Sequence, residues 1–258
     1  RRLSATAGRH ASRRSAAGRG AASERNAGLA RFPRFEQRAA APDLVAQLKA
    51  ENWALTEQVA QLAVRLTAAL GGRTLVLCTS LQAMRHIGAT LQAELGEGGQ
   101  VEVLVQGETP KARLMARFRQ ADAQGQRGCV LVASATFWEG FDVPGEALQL
   151  VVIDKLPFPP PGDPLFEARS QRITREGGSA FADHALPEAA VTLKQGAGRL
   201  IRSETDQGIL VVCDSRLSSM SYGRRLVRGL PPMRRLSDHQ AFVDAVAALT
   251  KSATSSWS

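Results

Sequence analysis

Two segments of the chain combine residue types that can do chemistry. The first, Ser134–Gly145 (SATFWEGFDVPG), directly follows an apolar run and holds hydroxyls, two carboxylates and large aromatic rings. The second, Gln195–Arg202 (QGAGRLIR), holds two glycines that let the backbone approach a ligand closely. Its Arg199 and Arg202 are three residues apart, so on one helical turn they share a face and can grip a polyphosphate. We place both segments in loops just beyond strand ends.

Five short apolar runs must position these segments. The runs scarcely alternate with polar residues, which indicates strands buried on both faces of a sheet. They are Thr74–Thr79, Val101–Val105, Cys129–Ala133, Leu148–Asp154 and Ile209–Asp214. Helical patterns lie between or after them, at about 81–95, 110–121, 164–176, 187–196, 217–228 and 238–249. This alternation predicts an α/β domain with a parallel sheet and helices on both faces, which binds ligands at the carboxyl ends of its strands.

The flanking segments set the domain boundaries. Residues 43–70 repeat leucine and valine at three-, four- and seven-residue steps, which predicts an amphipathic helix leading into the domain. Residues 1–42 are rich in Ala, Arg, Gly and Ser, so we predict a disordered basic tail. The domain then spans 71–250, and 251–258 form a second disordered tail. Residues 1–40 carry +8 of the formal net charge of +9, so this surplus says little about the domain.

Cysteine, histidine and hydropathy patterns exclude several classes of protein. The three cysteines each lie in an apolar run without C-x-x-C spacing, which indicates small buried hydrophobes in a reducing compartment. The histidines have no metal-ligand spacing either, so we predict that this chain holds no metal site. No stretch approaches the roughly 18 consecutive apolar residues of a membrane-spanning helix, which excludes an integral membrane protein.

The order of the motifs resembles one helicase family. From about Trp53 to Leu249 the chain resembles the second RecA-like motor domain of the DinG and XPD-like superfamily 2 DNA helicases. Four segments match in order, namely GGRTLVLCTS, SATFWEGFDVPG, VVIDKLPFPPPGDPL, and QGAGRLIR with DQGILVVCDSR. The resemblance implies a RecA-like sheet and an ATP-driven motor of the DNA-repair type. In such a motor ATP and Mg²⁺ lie between two RecA-like domains, and the first domain supplies the phosphate loop and the magnesium ligands.

The resemblance also implies a role for each motif residue. The catalytic residues would be Arg199 and Arg202, which close over the γ-phosphate. The other ATP-binding residues would be Gln195, Gly198, Glu139, Gly140 and Asp142, and the DNA-binding residues would be Thr79, Ser80, Ser134, Thr136 and Trp138. Two of these have a structural alternative, since Asp142 also fits a turn cap before Pro144 and Trp138 fits a buried aromatic equally well. Lys155 fits a solvent-facing strand end and a position near the ligand cleft equally.

One wall of the ATP site has no counterpart in this sequence. The sequence contains no G-x-x-x-x-G-K-[ST] loop and no D-E-A-H box, and the four-cysteine cluster of many such helicases is absent. We therefore expect a C-terminal fragment of a longer helicase that does not hydrolyse ATP by itself. Any iron–sulfur cluster would belong to the missing half.

The expected surroundings follow from the same resemblance. The partners would be the first RecA-like domain and single-stranded DNA or DNA junctions, in the bacterial cytoplasm near the nucleoid and away from membranes. The alternative from another class is a catalytically inert nucleic-acid-binding or regulatory module of the same fold.

Overall fold

A five-stranded parallel sheet forms the centre of the domain. The computed structural model describes residues 42–96, 98–99, 101–121, 128–134, 137, 148–160, 162–200, 206–236 and 238–255. The strands are β1 (Thr74–Cys78), β2 (Val101–Val105), β3 (Gly128–Ser134), β4 (Leu150–Ile153) and β5 (Ile209–Val212). Their order in the sheet is β2-β3-β1-β4-β5, and every neighbouring pair is parallel.

The central strand β1 explains why the apolar runs are continuous. Val76 lies opposite Val132 of β3 and Val152 of β4, and all five residues of β1 are buried. Since successive side chains of a strand point to opposite faces, Leu75 and its alternate neighbours enter one core and Val76 enters another. The two edge strands β2 and β5 are partly exposed, because each has a single neighbour. The prediction that these two are buried on both faces was therefore wrong.

Helices cover both faces of this sheet. They are α1 (Pro42–Ala69), α2 (Leu81–Leu91), α3 (Lys111–Gln120), α4 (Pro164–Arg175), α5 (Leu186–Ala197), α6 (Arg216–Ser219), α7 (Gly223–Gly229) and α8 (His239–Ser255). Apolar residues of α1, α2 and α8 share one core with Val76, whereas those of α3, α5 and α7 share the other with Leu75. Short π-helical turns extend α2 over Gln92–Gly96 and precede α5 over Ala180–Ala185.

The predicted fold class is confirmed. The RecA-like α/β sheet has helices on both faces, and helix α1 precedes it. The helix predicted over 217–228 is two short helices, because Met220 takes an extended conformation between them. Helix α8 continues to Ser255, beyond the predicted end at 249. The predicted tail lies outside the described residues as far as residue 41, and Pro42 begins α1.

Candidate functional site

A buried aspartate ties together the carboxyl ends of β1 and β4. Asp154 follows β4 directly, and only 2% of its surface is exposed. Its carboxylate accepts hydrogen bonds from the Thr79 backbone N–H at 2.9 Å, the Thr79 Oγ1 hydroxyl at 3.2 Å and the Lys155 N–H at 2.7 Å. This network fixes the chain where β1 leads into the predicted DNA-binding residues Thr79 and Ser80.

Burial makes the carboxyl group of Asp154 harder to ionise. Burial raises its pKa to about 6, although the hydrogen bonds from Thr79 and the positive charge of Lys155 act in the opposite direction. The Asp154 carboxyl group therefore changes its charge near pH 6. Sequence reasoning missed this residue, although an acidic side chain placed directly after a buried strand was a usable signal.

A second tie lies at the end of β3. Ser134 donates from its backbone N–H and its hydroxyl to Gln106 Oε1, at 2.7 and 3.0 Å. Gln106 follows β2, and its N–H donates to the carbonyl of Val132 at 3.0 Å. Ser134 also lies opposite Cys78 in the ladder, so the predicted DNA-binding residues Thr79, Ser80 and Ser134 gather at the carboxyl end of the sheet.

The three hydroxyls at this end face different partners. Those of Thr79 and the buried Ser134 donate inward, to Asp154 and Gln106, so the structure assigns them first to positioning the backbone. The exposed Ser80 instead accepts a hydrogen bond from the Ala83 N–H at 3.1 Å, which leaves its own O–H to donate outward. Thr136 and Trp138 lie outside the described residues, whereas Phe137 is a core residue with 3% exposure.

A second anchored carboxylate follows β5. Asp214 accepts hydrogen bonds from Arg216 Nη2 at 2.6 Å, Arg216 Nε at 2.9 Å and the Leu156 N–H at 2.9 Å. Burial acts to raise the pKa of Asp214. The hydrogen bonds from the Arg216 side chain and from the backbone N–H groups of Leu156 and Arg216 outweigh this effect, so the pKa is lowered. Arg216 also lies over the ring of Phe158, 5.5 Å from its centroid. A hydrogen-bonded polar side chain thus lies at the end of β3 and just beyond the ends of β4 and β5.

The described part of the second motif, residues 195–200, lies at the other end of the sheet. Gln195 belongs to the last turn of α5, and Gly198 closes that helix with its N–H on the Lys194 carbonyl at 2.8 Å. Leu200 packs by the starts of β4 and β5, where a Cβ added to Gly208 would lie 2.5 Å from Leu200 Cδ1. The prediction of a loop just beyond a strand end was therefore wrong for residues 195–197, which belong to α5. The segment ends a helix that runs back to the amino end of the sheet.

The residues around the end of α5 differ in burial. Leu193 and Ala197 are wholly buried and Leu200 is 2% exposed, whereas Gln195 and Arg199 are half-buried. The apolar residues therefore hold the turn that carries Arg199. Four predicted nucleotide-site residues lie outside the described residues, namely Glu139, Gly140, Asp142 and Arg202.

The described part of the chain holds no cluster of three metal-ligating His, Cys, Asp or Glu side chains. Its three cysteines form no disulfide, and burial raises the pKa of the Cys129 thiol to about 12 and that of Cys213 to about 11. Among the described residues, no helix is both long and apolar enough to cross a membrane.

Comparison with known proteins identifies the domain. Residues 63–233 match the family of the helicase C-terminal domain. The chain belongs to this family. Relatives that share this domain are named YoaA and DinG helicases, and the order of the motifs predicted such a helicase C-terminal domain.

Named relatives of this helicase domain are much longer than the chain. It is 44% identical over 167 residues to the ATP-dependent DNA helicase YoaA of Haemophilus influenzae, which covers 65% of the chain and 25% of YoaA. It is 41% identical over 176 residues to the ATP-dependent helicase DinG of Mycobacterium tuberculosis, covering 68% of the chain and 25% of DinG. The chain thus spans about a quarter of these relatives. A solved XPD helicase is similar at 18% identity with a TM-score of 0.47, over 70% of this chain and 32% of that one.

The Asp154→Asn variant is expected to remove a pH-dependent loss of stability. Because the pKa of Asp154 is about 6 in the fold against an ordinary value of 3.8, the folded state keeps the proton longer than the unfolded state. Asp154 should therefore contribute about 3 kcal/mol less stability once pH has risen through this interval, whereas the neutral asparagine should contribute no such change. Urea unfolding at about pH 4 and about pH 7 measures the difference.

Asp214→Asn is the matched control with the opposite sign. Since the pKa of Asp214 is lowered, its ionised form contributes stability above its unfolded pKa and loses it as pH falls. The control should therefore be most damaging near neutral pH. If Asp154→Asn differed from wild type by the same free energy at both pH values, a raised pKa of Asp154 would be contradicted.

Proposed function

We propose that this chain is the second motor half of an ATP-dependent DNA helicase of the DNA-repair type. ATP and Mg²⁺ would be shared with a first RecA-like domain, which supplies the phosphate loop and the magnesium ligands. The DNA partner would be single-stranded DNA or a junction that contains it. Membership of the helicase C-terminal family and two relatives named ATP-dependent helicases support this proposal.

The observation that carries the proposal is the way in which the backbone of Arg199 is held. Arg199 directly follows Gly198, the C-cap of α5, and its apolar neighbours Ala197 and Leu200 are buried, so the backbone that carries the guanidinium is fixed in place. A guanidinium offers a planar fork of donors, and one aimed at a transferring phosphoryl group stabilises the charge that develops there. Arg202 would act beside it, and Gln195 and Gly198 would contact the nucleotide. Glu139, Gly140 and Asp142 would couple this nucleotide site to the DNA.

The DNA surface would lie at the other end of the sheet. Phosphate oxygens accept hydrogen bonds, and the outward O–H of Ser80 is a donor that carries no sequence preference. Thr79 and Ser134 would hold the backbone in register for this contact, and Thr136 and Trp138 would add donors and a stacking surface. ATP and DNA would then meet opposite ends of one rigid sheet, so a movement driven at one end would be carried to the other.

The test is reconstitution of the motor from two parts. The full chain is mixed with the separately made first motor domain of the YoaA relative, and ATP hydrolysis is measured with and without single-stranded DNA. We expect each part alone to be inactive and the mixture to hydrolyse ATP faster when DNA is added. A folded, associated pair without hydrolysis would contradict the motor and favour the inert nucleic-acid-binding module.

A further inference from the structure

A small cleft lies beside Ser80, between α1 and the start of α2. It has a volume of about 220 Å³ and is lined by Asn52, Trp53, Thr56, Ser80, Gln82 and Ala83. Such a volume is below that of most small-molecule sites, so the cleft fits one chemical group of a larger ligand. Three of its lining residues, Asn52, Trp53 and Thr56, lie outside the segment that matches the helicase family.

Trp53 gives this cleft an aromatic surface that is held in place. The side chain is large and apolar, yet 44% of the residue is exposed. Its ring lies against the imidazole of His86, with centroids 4.3 Å apart, and His86 Nε2 is 2.5 Å from Glu57 Oε2. The indole therefore packs against an imidazole that is itself held by a hydrogen bond. Stacking of a flat ligand on Trp53 would then cost little side-chain entropy.

The polar groups around Trp53 suit a phosphate and a base. Lys155 Nζ donates to Asn52 Oδ1, which brings a positive charge to the cleft and leaves the Asn52 amide N–H₂ to donate. Ser80 offers its outward O–H, and Gln82 adds a side-chain amide. None of the lining residues, all of which the structure describes, is acidic. An aromatic face, amide groups, a hydroxyl and one cation together match an unpaired nucleotide.

We propose that this cleft binds one unpaired nucleotide of single-stranded DNA, with the base stacked on Trp53. The phosphate lies toward Ser80 and Lys155, and Asn52 or Gln82 contacts the edge of the base. This site rests on the proposed function, because it places the DNA at the carboxyl end of the sheet. It deepens that proposal by extending the DNA contact onto α1. The proposal also gives Lys155 a role at this cleft, whereas the sequence fitted a solvent-facing strand end and a position near a ligand equally.

Two oligomers separate stacking from phosphate contact. One is a fluorescently labelled oligothymidylate, and the other is an abasic oligodeoxynucleotide of the same length with the same number of phosphates. Anisotropy titrations at low salt use the full chain as wild type, Trp53→Ala and Trp53→Phe. We expect Trp53→Ala to bind oligothymidylate about 5- to 100-fold more weakly and Trp53→Phe to retain most of the affinity. On the abasic oligomer, all three proteins should bind alike.

A second readout observes Trp53 itself without depending on the stability of the alanine variant. The chain has three tryptophans, and Trp53→Phe removes one of them, so the difference in emission between wild type and Trp53→Phe reports the Trp53 indole. Its fluorescence should be quenched on adding oligothymidylate and be unchanged with the abasic oligomer. Unquenched fluorescence in a chain that binds oligothymidylate would overturn the site, as would an equal loss of affinity for both oligomers in Trp53→Ala.

The outcomes separate this site from the proposed function. If the reconstituted motor hydrolyses ATP and the chain binds DNA with Trp53 unaffected, the site is wrong and the motor stands. If wild type binds neither oligomer, the site is also overturned, whereas the motor is judged by its ATP hydrolysis alone.

Discussion

Replacing Arg199 with alanine should lower DNA-stimulated ATP hydrolysis by the reconstituted motor by about 1000-fold, and Arg202→Ala should do the same. An arginine that stabilises the transferring phosphoryl group contributes a factor on the order of 10³ to 10⁵ in rate. Alanine removes the guanidinium but leaves the buried anchors Leu193, Ala197 and Leu200 in place, so the fold should persist. Initial rates at saturating ATP and DNA, with each variant's unfolding curve beside them, measure this effect.

Two further variants make the Arg199 result specific. Arg199→Lys keeps the positive charge but loses the planar fork of donors, so it should recover only part of the rate. Arg225→Ala removes an exposed arginine of α7 that is not part of the motif, and should leave the rate within about twofold of wild type. Full hydrolysis by Arg199→Ala, or an equal loss in Arg225→Ala, would contradict a role for Arg199 at the γ-phosphate.

The Gly72→Ala variant should lower the free energy of unfolding by about 3 to 5 kcal/mol, which is a large part of a typical domain's stability. Gly72 has φ +100°, and an added Cβ would lie 2.6 Å from Cys129 N and from the Gly128 carbonyl carbon. These are backbone atoms at the start of β3, so they cannot move without disturbing the pairing of β1 with β3. Gly72 leads directly into β1, whose far end carries Thr79 and Ser80.

Gly71→Ala provides the matched control for this clash. Gly71 also has a positive φ, +63°, but an added Cβ would meet no atom within 4 Å. It should therefore cost only the backbone strain of a left-handed residue, about 1 to 2 kcal/mol. Urea unfolding of the two variants and wild type measures both effects. If Gly71→Ala and Gly72→Ala lowered the free energy of unfolding equally, a clash of the added Cβ with β3 would be contradicted.

Local sequence patterns were sufficient for most of the fold. The apolar run around Val76 predicted a buried central strand because a strand between two neighbours has no polar face. The step pattern of α1 likewise predicted a helix that packs through Val59 and Leu66. The break between α6 and α7 escaped this reasoning, because it depends on close packing. A Cβ on Gly223 would lie 2.0 Å from the Leu217 carbonyl oxygen.

The site was less accessible from sequence, since its contacts join residues that are distant along the chain. Thr79 and Asp154 are 75 positions apart, and only the β1–β4 pairing brings them together. Motif spacing indicated which hydroxyls gather at the carboxyl end of the sheet but not that those of Thr79 and Ser134 donate inward. Motif spacing alone also could not place Arg199 at the amino end, because that depends on the direction of α5 across the sheet.

The separation of nucleotide and DNA chemistry between the two ends of the sheet is tested most directly by one pair of measurements on Arg199→Ala. These are the dissociation constant of the full chain for oligothymidylate and the turnover of the reconstituted motor. We expect the dissociation constant to stay within about twofold of wild type while turnover falls by about 1000-fold. A folded Arg199→Ala chain that loses DNA affinity by about tenfold or more would contradict this separation.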